Sequence, residues 1–415
     1  MLTQQVLQKA YQLMCYVQHM AATYESNRSV CKYVHSTSRG HEAIQLAAAF
    51  QLQPHDYVSP YYRDESILLG LGFTPYELML QLLAKADDPF SGGREYYAHP
   101  SYRGANKPTI IHQSSATGMQ VIPTTGVAQG LQYLHRIQSS KFNRGENGSM
   151  PVVLCSLGDA SITEGEVSEA FQFAVLKQLP IIYLVQDNQW GISVTAEEAR
   201  AMDAYEYAGG FPGMKRMRID GSDFEESFLM MQHVVEYVRT EGGPYLVQAQ
   251  VPLLNHHTSG VRKEFYRSKE DLDKHAQDDP FPQLHDLCIR NGITEEALKH
   301  INDEAAATIA SQFAAAVAAP EPDVHAVATH VFAPTPITEE TGDRAPANNE
   351  KVLMVDAALF AIREIMETHP EAVLYGQDVG GRLGGVFREA ATLAEKFGDH
   401  RVFNTAIQEA YIVGS

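Results

Sequence analysis

The sequence predicts an α/β protein: a parallel sheet flanked by helices, then a linker, then an incomplete second α/β domain. Two short, unbroken apolar runs, VVLCSL (152–157) and IIYLVQ (181–186), suit strands covered on both faces. Between them EVSEAFQFAVLKQL (166–179) has the spacing of an amphipathic helix and is closed by Pro180, giving a βαβ unit with a right-handed crossover. After residue 318 the text turns proline-rich and then resumes a helix–strand pattern.

Taken in order, residues 1–50 read as two helices. VLQKAYQLMCYVQHMAATYE places apolar residues at three- and four-residue intervals, and GHEAIQLAAAF opens the second. Between about 105 and 136 a polar loop leads through Pro123 into a Gly- and Ala-containing helix. MRID (217–220) and PYLVQAQV (244–251) read as further strands around a helix beginning near Phe224. The Ala-rich helix 303–318 precedes a stretch with Pro320, Pro322, Pro334, Pro336 and Pro346, which reads as a proline-stiffened linker. The expected domains are therefore 1–318, a linker over 319–349, and 350–415. The last opens with a helix over 353–369 and a strand over 372–376, and its end at Ser415 reads as incomplete.

Composition narrows the function classes. A chain of 415 residues suggests two or three domains at about 150 residues each. With 44% hydrophobic and 20% charged residues, wholesale disorder is excluded. Lys and Arg number 32 against 51 Asp and Glu, a net charge of −19, which disfavours a general nucleic-acid binder. No apolar run approaches the ~20 residues of a membrane span, and MLTQQVLQKAYQLM lacks a secretory or transit pattern. Cys15, Cys31, Cys155 and Cys288 have neither paired metal spacing nor disulfide density. The expectation is a soluble, cytoplasmic protein with no nucleic-acid or membrane partner.

The chemistry concentrates in two loops. Gly158-Asp159-Ala160 follows one buried strand and Asp187-Asn188-Gln189 follows the next, so adjacent parallel strands place both at the carboxyl edge of the sheet. A carboxylate from Asp159, the amide oxygen of Asn188 and a nearby backbone carbonyl suit a hard cation such as Mg²⁺. A diphosphate would supply further anionic ligands, and the helix opening near Glu166 offers backbone N–H groups to an anion.

With 29 residues from Asp159 to Asn188, the arrangement resembles the thiamine diphosphate motif, with Ala160 for its last glycine and Asp187 for its first asparagine. The segment GDASITEGEVSEAFQFAVLKQLPIIYLVQDNQWGIS then resembles the alpha subunit of the 2-oxo acid dehydrogenases, the decarboxylating component of those complexes. RGHEAIQLAAA (39–49) is similar to that family's early Gly-Gln-Glu-Ala helix start. The resemblance implies a thiamine diphosphate-binding fold, with Mg²⁺ held by Asp159, Asn188 and the carbonyl of Trp190, and Gly158 and Ala160 against the cofactor. It implies that Tyr62, Arg63 and His257 hold or service the diphosphate, an Arg fork matching phosphate oxygens. Ser115 and Gly118, within SSATGMQVIP (114–123), would border the aminopyrimidine.

After the linker, residues 376–415 resemble the start of the beta subunit of the same enzymes, and Glu409 matches the glutamate that contacts the aminopyrimidine ring. A carboxyl sharing a proton with that ring would be catalytic, with His257 as the second catalytic group. The implied protein is an alpha subunit fused to the first part of a beta subunit. It would decarboxylate a branched-chain 2-oxo acid or pyruvate and pass the acyl group to a lipoyl-bearing acyltransferase. A homo- or hetero-oligomer would supply the rest of the beta-type domain. The alternatives are a transketolase-like enzyme and a truncated, non-catalytic cofactor- or partner-binding paralogue.

Overall fold

The computed structural model describes residues 2–111, 116–145, 148–334, 339, 341–344, 347 and 349–415. Two compact units divide them. The first comprises Met1–Gln132, Asn143–Pro322 and Gly414–Ser415, and the second Tyr133–Phe142 and Asp323–Val413.

In chain order the elements begin with α1 (Gln4–Ser26), α2 (Glu42–Ala49), β1 (Tyr57–Ser59), α3 (Glu65–Gly70), α4 (Pro75–Leu82), β2 (Thr109–Ile110) and α5 (Val121–Arg136). There follow β3 (Val153–Gly158), α6 (Gly165–Lys177), β4 (Ile181–Asp187), β5 (Trp190–Gly191), β6 (Val194–Thr195), α7 (Ala196–Ala199) and α8 (Ala204–Ala208). Next come β7 (Lys215–Asp220), α9 (Phe224–Thr240), β8 (Tyr245–Gln250), α10 (Lys269–Gln277), α11 (Pro280–Arg290) and α12 (Glu295–Ala318). The second unit adds α13 (Met354–Thr368), β9 (Leu374–Gly376), α14 (Leu393–Phe397), β10 (Val402–Asn404) and α15 (Glu409–Gly414).

The expected parallel sheet is present, with six strands in the order β2-β1-β3-β4-β8-β7. β3 and β4 pair in parallel from Val153↔Ile181 to Gly158↔Gln186, so the two loops singled out in the sequence do leave the same edge side by side. β4 is buried at all seven positions, which is why its sequence runs apolar instead of alternating. Helices cover the sheet and each other: α2 packs on α9, and α1 on α12. Their starts are set by side-chain caps, Asp223 accepting from Glu226 N, Ser268 from Asp271 N and Thr294 from Ala297 N.

Two differences from the sequence reading matter for the site. Residues 51–111 carry two short strands that the periodicity did not reveal, and β1 pairs in parallel with both β2 and β3. The chain therefore steps from β1 outward to β2 on one side and then crosses back past β1 to β3 on the other. That reversal opens a crevice beyond the carboxyl ends of β1 and β3, where α/β folds bind ligands. Second, the start of the expected linker is pinned to the first unit. Ala86 N donates to Pro320 O at 2.9 Å, and Lys85 pairs with Glu321 at 2.7 Å.

The second unit is built around Met366, Ala390, Leu393, Ala394 and Val402, with a two-stranded parallel sheet of β9 and β10. Met366 is the one buried residue of α13. Among the described residues no helix is long and apolar enough to cross a membrane.

Candidate functional site

A cavity of about 550 Å³ occupies the crevice of the first unit. Its polar wall is formed by Gly158, Asp159 and Ala160 after β3, Asn188 and Trp190 after β4, and Tyr62 and His257 opposite. Tyr61, Tyr96 and Tyr97 supply aromatic surface. Of the expected cofactor and metal residues in this unit, seven thus line one space. Gly118 is buried beside the lining residue Thr117, at φ +89°, where an added Cβ would come 2.8 Å from Glu164 Cγ. Ser115 lies outside the described residues.

His257 is held at both ring nitrogens. The backbone N–H of Ile192 donates to Nδ1 at 3.2 Å, so in the neutral ring the proton is on Nε2, which lies 3.1 Å from Tyr62 Oη. Burial, reinforced by the Arg63 charge, pushes the imidazole pKa down to about 2 and keeps the ring neutral. Nε2–H therefore donates to the tyrosine oxygen, and the phenolic hydrogen of Tyr62 is left to donate into the cavity.

Arg63 is fully buried behind these two residues. Its expected open fork is not what the structure shows. Nη2 donates to the carbonyl of His257 at 3.0 Å and Nη1 to that of Thr37 at 3.4 Å, while Nε has no partner. The guanidinium carbon stands 5.4 Å from the Tyr62 ring centroid. Among the described residues Arg63 makes no direct ion pair; the buried carboxyls of Asp64 and Glu65 feel its charge without touching it.

The opposite imbalance lies across the cavity. Asp159 and Asp187 are both buried and share one cation, Arg200, at 3.3 and 3.2 Å. Burial first, then the neighbouring Asp187 charge, pushes the Asp159 carboxyl up, with Arg200 opposing. Asn188 Oδ1 accepts from Trp190 N at 3.0 Å and retains a second lone pair. One carboxylate, one amide oxygen and one carbonyl form an all-oxygen set suited to Mg²⁺ completed by phosphate and water. No group of three or more His, Cys, Asp or Glu side chains arranged for a metal occurs among the described residues. The residues therefore fit a hard cation with a diphosphate: a crowded buried carboxylate lines the space, and the Arg63 charge lies buried behind its Tyr62–His257 wall.

Glu409 belongs to the second unit. It is exposed and accepts from Gln377 Nε2 at 3.1 Å, and that hydrogen bond holds its carboxyl below the ordinary range. The desolvation that proton sharing with a ring would require is absent in this chain. Gln186, Arg200, Asp64 and His41 were not singled out as site residues. Gln186 and Ser156 carried a readable signal, as polar residues inside runs otherwise built for burial.

A family model described as "Dehydrogenase E1 component" matches residues 11–325. The chain is 29% identical to the 2-oxoisovalerate dehydrogenase subunit alpha of Bacillus subtilis over 262 residues, covering 63% of this chain and 74% of that protein. It is 27% identical to the 3-methyl-2-oxobutanoate dehydrogenase subunit alpha of Mycobacterium tuberculosis, covering 72% and 75%. It is also 27% identical to the pyruvate dehydrogenase E1 component subunit alpha of Rickettsia bellii, covering 63% and 75%.

Proposed function

The chain belongs to the dehydrogenase E1 component family, and on that premise we propose that it binds thiamine diphosphate with Mg²⁺ and decarboxylates a branched-chain 2-oxo acid or pyruvate. The reaction class is the oxidative decarboxylation of a 2-oxo acid. The observation that carries the reading is that Asp159, Asn188, Trp190, Tyr62 and His257 line one cavity at the strand-order reversal, with the buried Arg63 charge behind its Tyr62–His257 wall.

In this reading Asp159, Asn188 and the Trp190 carbonyl hold the metal, and Gly158 and Ala160 let the cofactor approach the loop. Tyr62 donates to the diphosphate through the phenolic hydrogen that His257 leaves free. Arg63 supplies positive charge from beneath and keeps the two carbonyls, hence the His257 loop, in place. Gly118 borders the aminopyrimidine. When bound, thiamine diphosphate supplies the electron sink for loss of CO₂. The tyrosines and Trp190 exclude water around that chemistry.

The remaining parts of the proposal are a lipoyl-bearing acyltransferase as acyl acceptor, an oligomeric assembly and a cytoplasmic location. Residues 376–415 would be a beta-type segment, and Glu409 would become catalytic only where another surface desolvates it. The test is decarboxylation by the full chain, with and without a separately supplied beta subunit, offered branched 2-oxo acids, pyruvate and ketose phosphates. CO₂ release from a 2-oxo acid supports the reading. Two-carbon transfer from ketose phosphates alone would point to the transketolase-like alternative.

A further inference from the structure

We infer that His41 is a positioning residue, the last link of a buried hydrogen-bond relay that turns the Asn188 amide so that its oxygen, not its nitrogen, is offered to a metal in the cavity. The inference rests on the Mg²⁺ reading above and adds a residue to it. An amide's two ends are nearly isosteric, so only its hydrogen-bond partners decide which one a ligand meets. A cation accepts coordination by the oxygen and is repelled by the NH₂.

The direction of every bond in the relay follows from groups that have no choice. Ser66 N–H can only donate, and it donates to Gln45 Oε1 at 3.2 Å, so Gln45 Nε2 faces the other way. That nitrogen donates to Gln186 Oε1 at 2.8 Å and to Asp64 Oδ1 at 3.0 Å. Asp64 independently accepts from Tyr61 N at 2.9 Å and from Gln186 Nε2 at 2.8 Å. Both anchors therefore fix Gln186 with its nitrogen toward Asp64 and Ser156 and its oxygen toward His41.

Gln186 Oε1 lies 2.8 Å from His41 Nδ1, and an oxygen that can only accept requires the imidazole proton there. With its proton at Nδ1 and no carboxylate bonded to it, the fully buried ring presents a lone pair at Nε2. Asn188 Nδ2 sits 3.2 Å from that Nε2 and must donate to it. Its Oδ1 is thereby turned to Trp190 N–H, with one lone pair to spare. His41, Gln45, Gln186, Asp64 and Ser66 are all fully buried, so no water competes for these bonds.

Replacing His41 by Leu removes the acceptor of Asn188 Nδ2 and leaves the amide held by the Trp190 N–H alone, with its nitrogen unsatisfied. Gln at the same position offers an N–H to Gln186 and an oxygen to Asn188, and it should restore the polarity. The chain's single tryptophan, Trp190, lines the cavity, so its emission reports on metal binding without any turnover. We would titrate Mg²⁺ into the full chain at fixed thiamine diphosphate and follow that emission. His41→Leu is expected to raise the half-saturating Mg²⁺ concentration by ~10–100-fold, as removal of a ligand's supporting hydrogen bond does. His41→Gln is expected to stay within about threefold of wild type, a rescue that the same principle predicts. His41→Met is the second apolar variant should Leu prevent folding.

A wild-type response that Leu or Met leaves unchanged would overturn the inference alone. So would a Gln variant as impaired as Leu or Met, because a merely space-filling role would treat them alike. No response in wild type would overturn the metal reading, and the inference with it.

Discussion

The two ends of the six-stranded sheet treat buried charge in opposite ways. At the amino end Asp56, just before β1, meets Arg239 of α9 in a closed pair, Nη1 to Oδ1 at 2.9 Å and Nη2 to Oδ2 at 2.7 Å. Both are buried, and the remaining valences are filled as well. Asp56 Oδ1 accepts from Val152 N at 2.9 Å, and Arg239 Nη1 donates to Met150 O at 2.6 Å. At the carboxyl end Arg63 bonds no carboxylate directly, Asp64 and Glu65 feeling its charge only without contact, and Asp159 and Asp187 compete for Arg200. One end is finished by the chain itself. The other is left for something the chain does not contain, which is the physical meaning of a binding site.

Breaking the closed end should cost most. Asp56→Ala leaves Arg239 buried and unpaired, a loss of about 3–5 kcal/mol in denaturant unfolding. A loss below about 1 kcal/mol would erase the contrast, because that is the range of an exposed pair. At the open end Arg63→Met removes a buried charge together with the donors to the Thr37 and His257 carbonyls, so it should cost less unfolding stability than Asp56→Ala. The same variant should weaken thiamine diphosphate binding by roughly 100-fold, about 2.7 kcal/mol by calorimetry. Full affinity in Arg63→Met would remove the arginine from the diphosphate site.

Asp159→Asn sharpens the anionic half of the comparison. It lifts the competition for Arg200, so stability without ligands should change by less than about 1 kcal/mol. The tightening of cofactor binding by Mg²⁺ should disappear, and a persisting Mg²⁺ effect would contradict the metal assignment.

The smallest effect concerns Glu65, which opens α3 beyond the carboxyl end of β1. Burial pushes its carboxyl up to about 7, with the Tyr97 hydroxyl and Ser38 N–H bonded to it. The folded state holds this proton more tightly than the unfolded chain, so the contribution is fully present below the unfolded pKa of about 4.5. It declines as pH rises toward about 7. Glu65→Gln should flatten the decline in unfolding stability between those values, and an unaltered slope would assign it to other groups.

Much of this was readable in the sequence, and the rest was hidden for identifiable reasons. β3 and β4 were legible because burial on both faces forces continuous apolar runs, and the loops of Asp159 and Asn188 came with them. β1 and β2 are three and two residues long, too short for any periodicity, so the strand-order reversal that opens the crevice could not be foreseen. Arg200 stands 13 residues beyond Asp187 with no local pattern to connect them. The Arg63 fork was expected to face phosphate. Its capture by the Thr37 and His257 carbonyls depends on how distant loops close over it, which spacing does not encode. Gln186 was the missed opportunity, a polar side chain in a strand with no exposed face.

The most direct test of the central claim is calorimetry of thiamine diphosphate against the full chain with and without Mg²⁺, alongside Arg63→Met and Asp159→Asn. Compensation of the Arg63 charge and of the crowded Asp159–Asp187 carboxylates by the bound group predicts one cofactor per chain, bound more tightly with Mg²⁺. It further predicts that Arg63→Met weakens binding in both conditions and Asp159→Asn only when Mg²⁺ is present. Binding that ignores Mg²⁺ and both substitutions, or no binding at all, would contradict it.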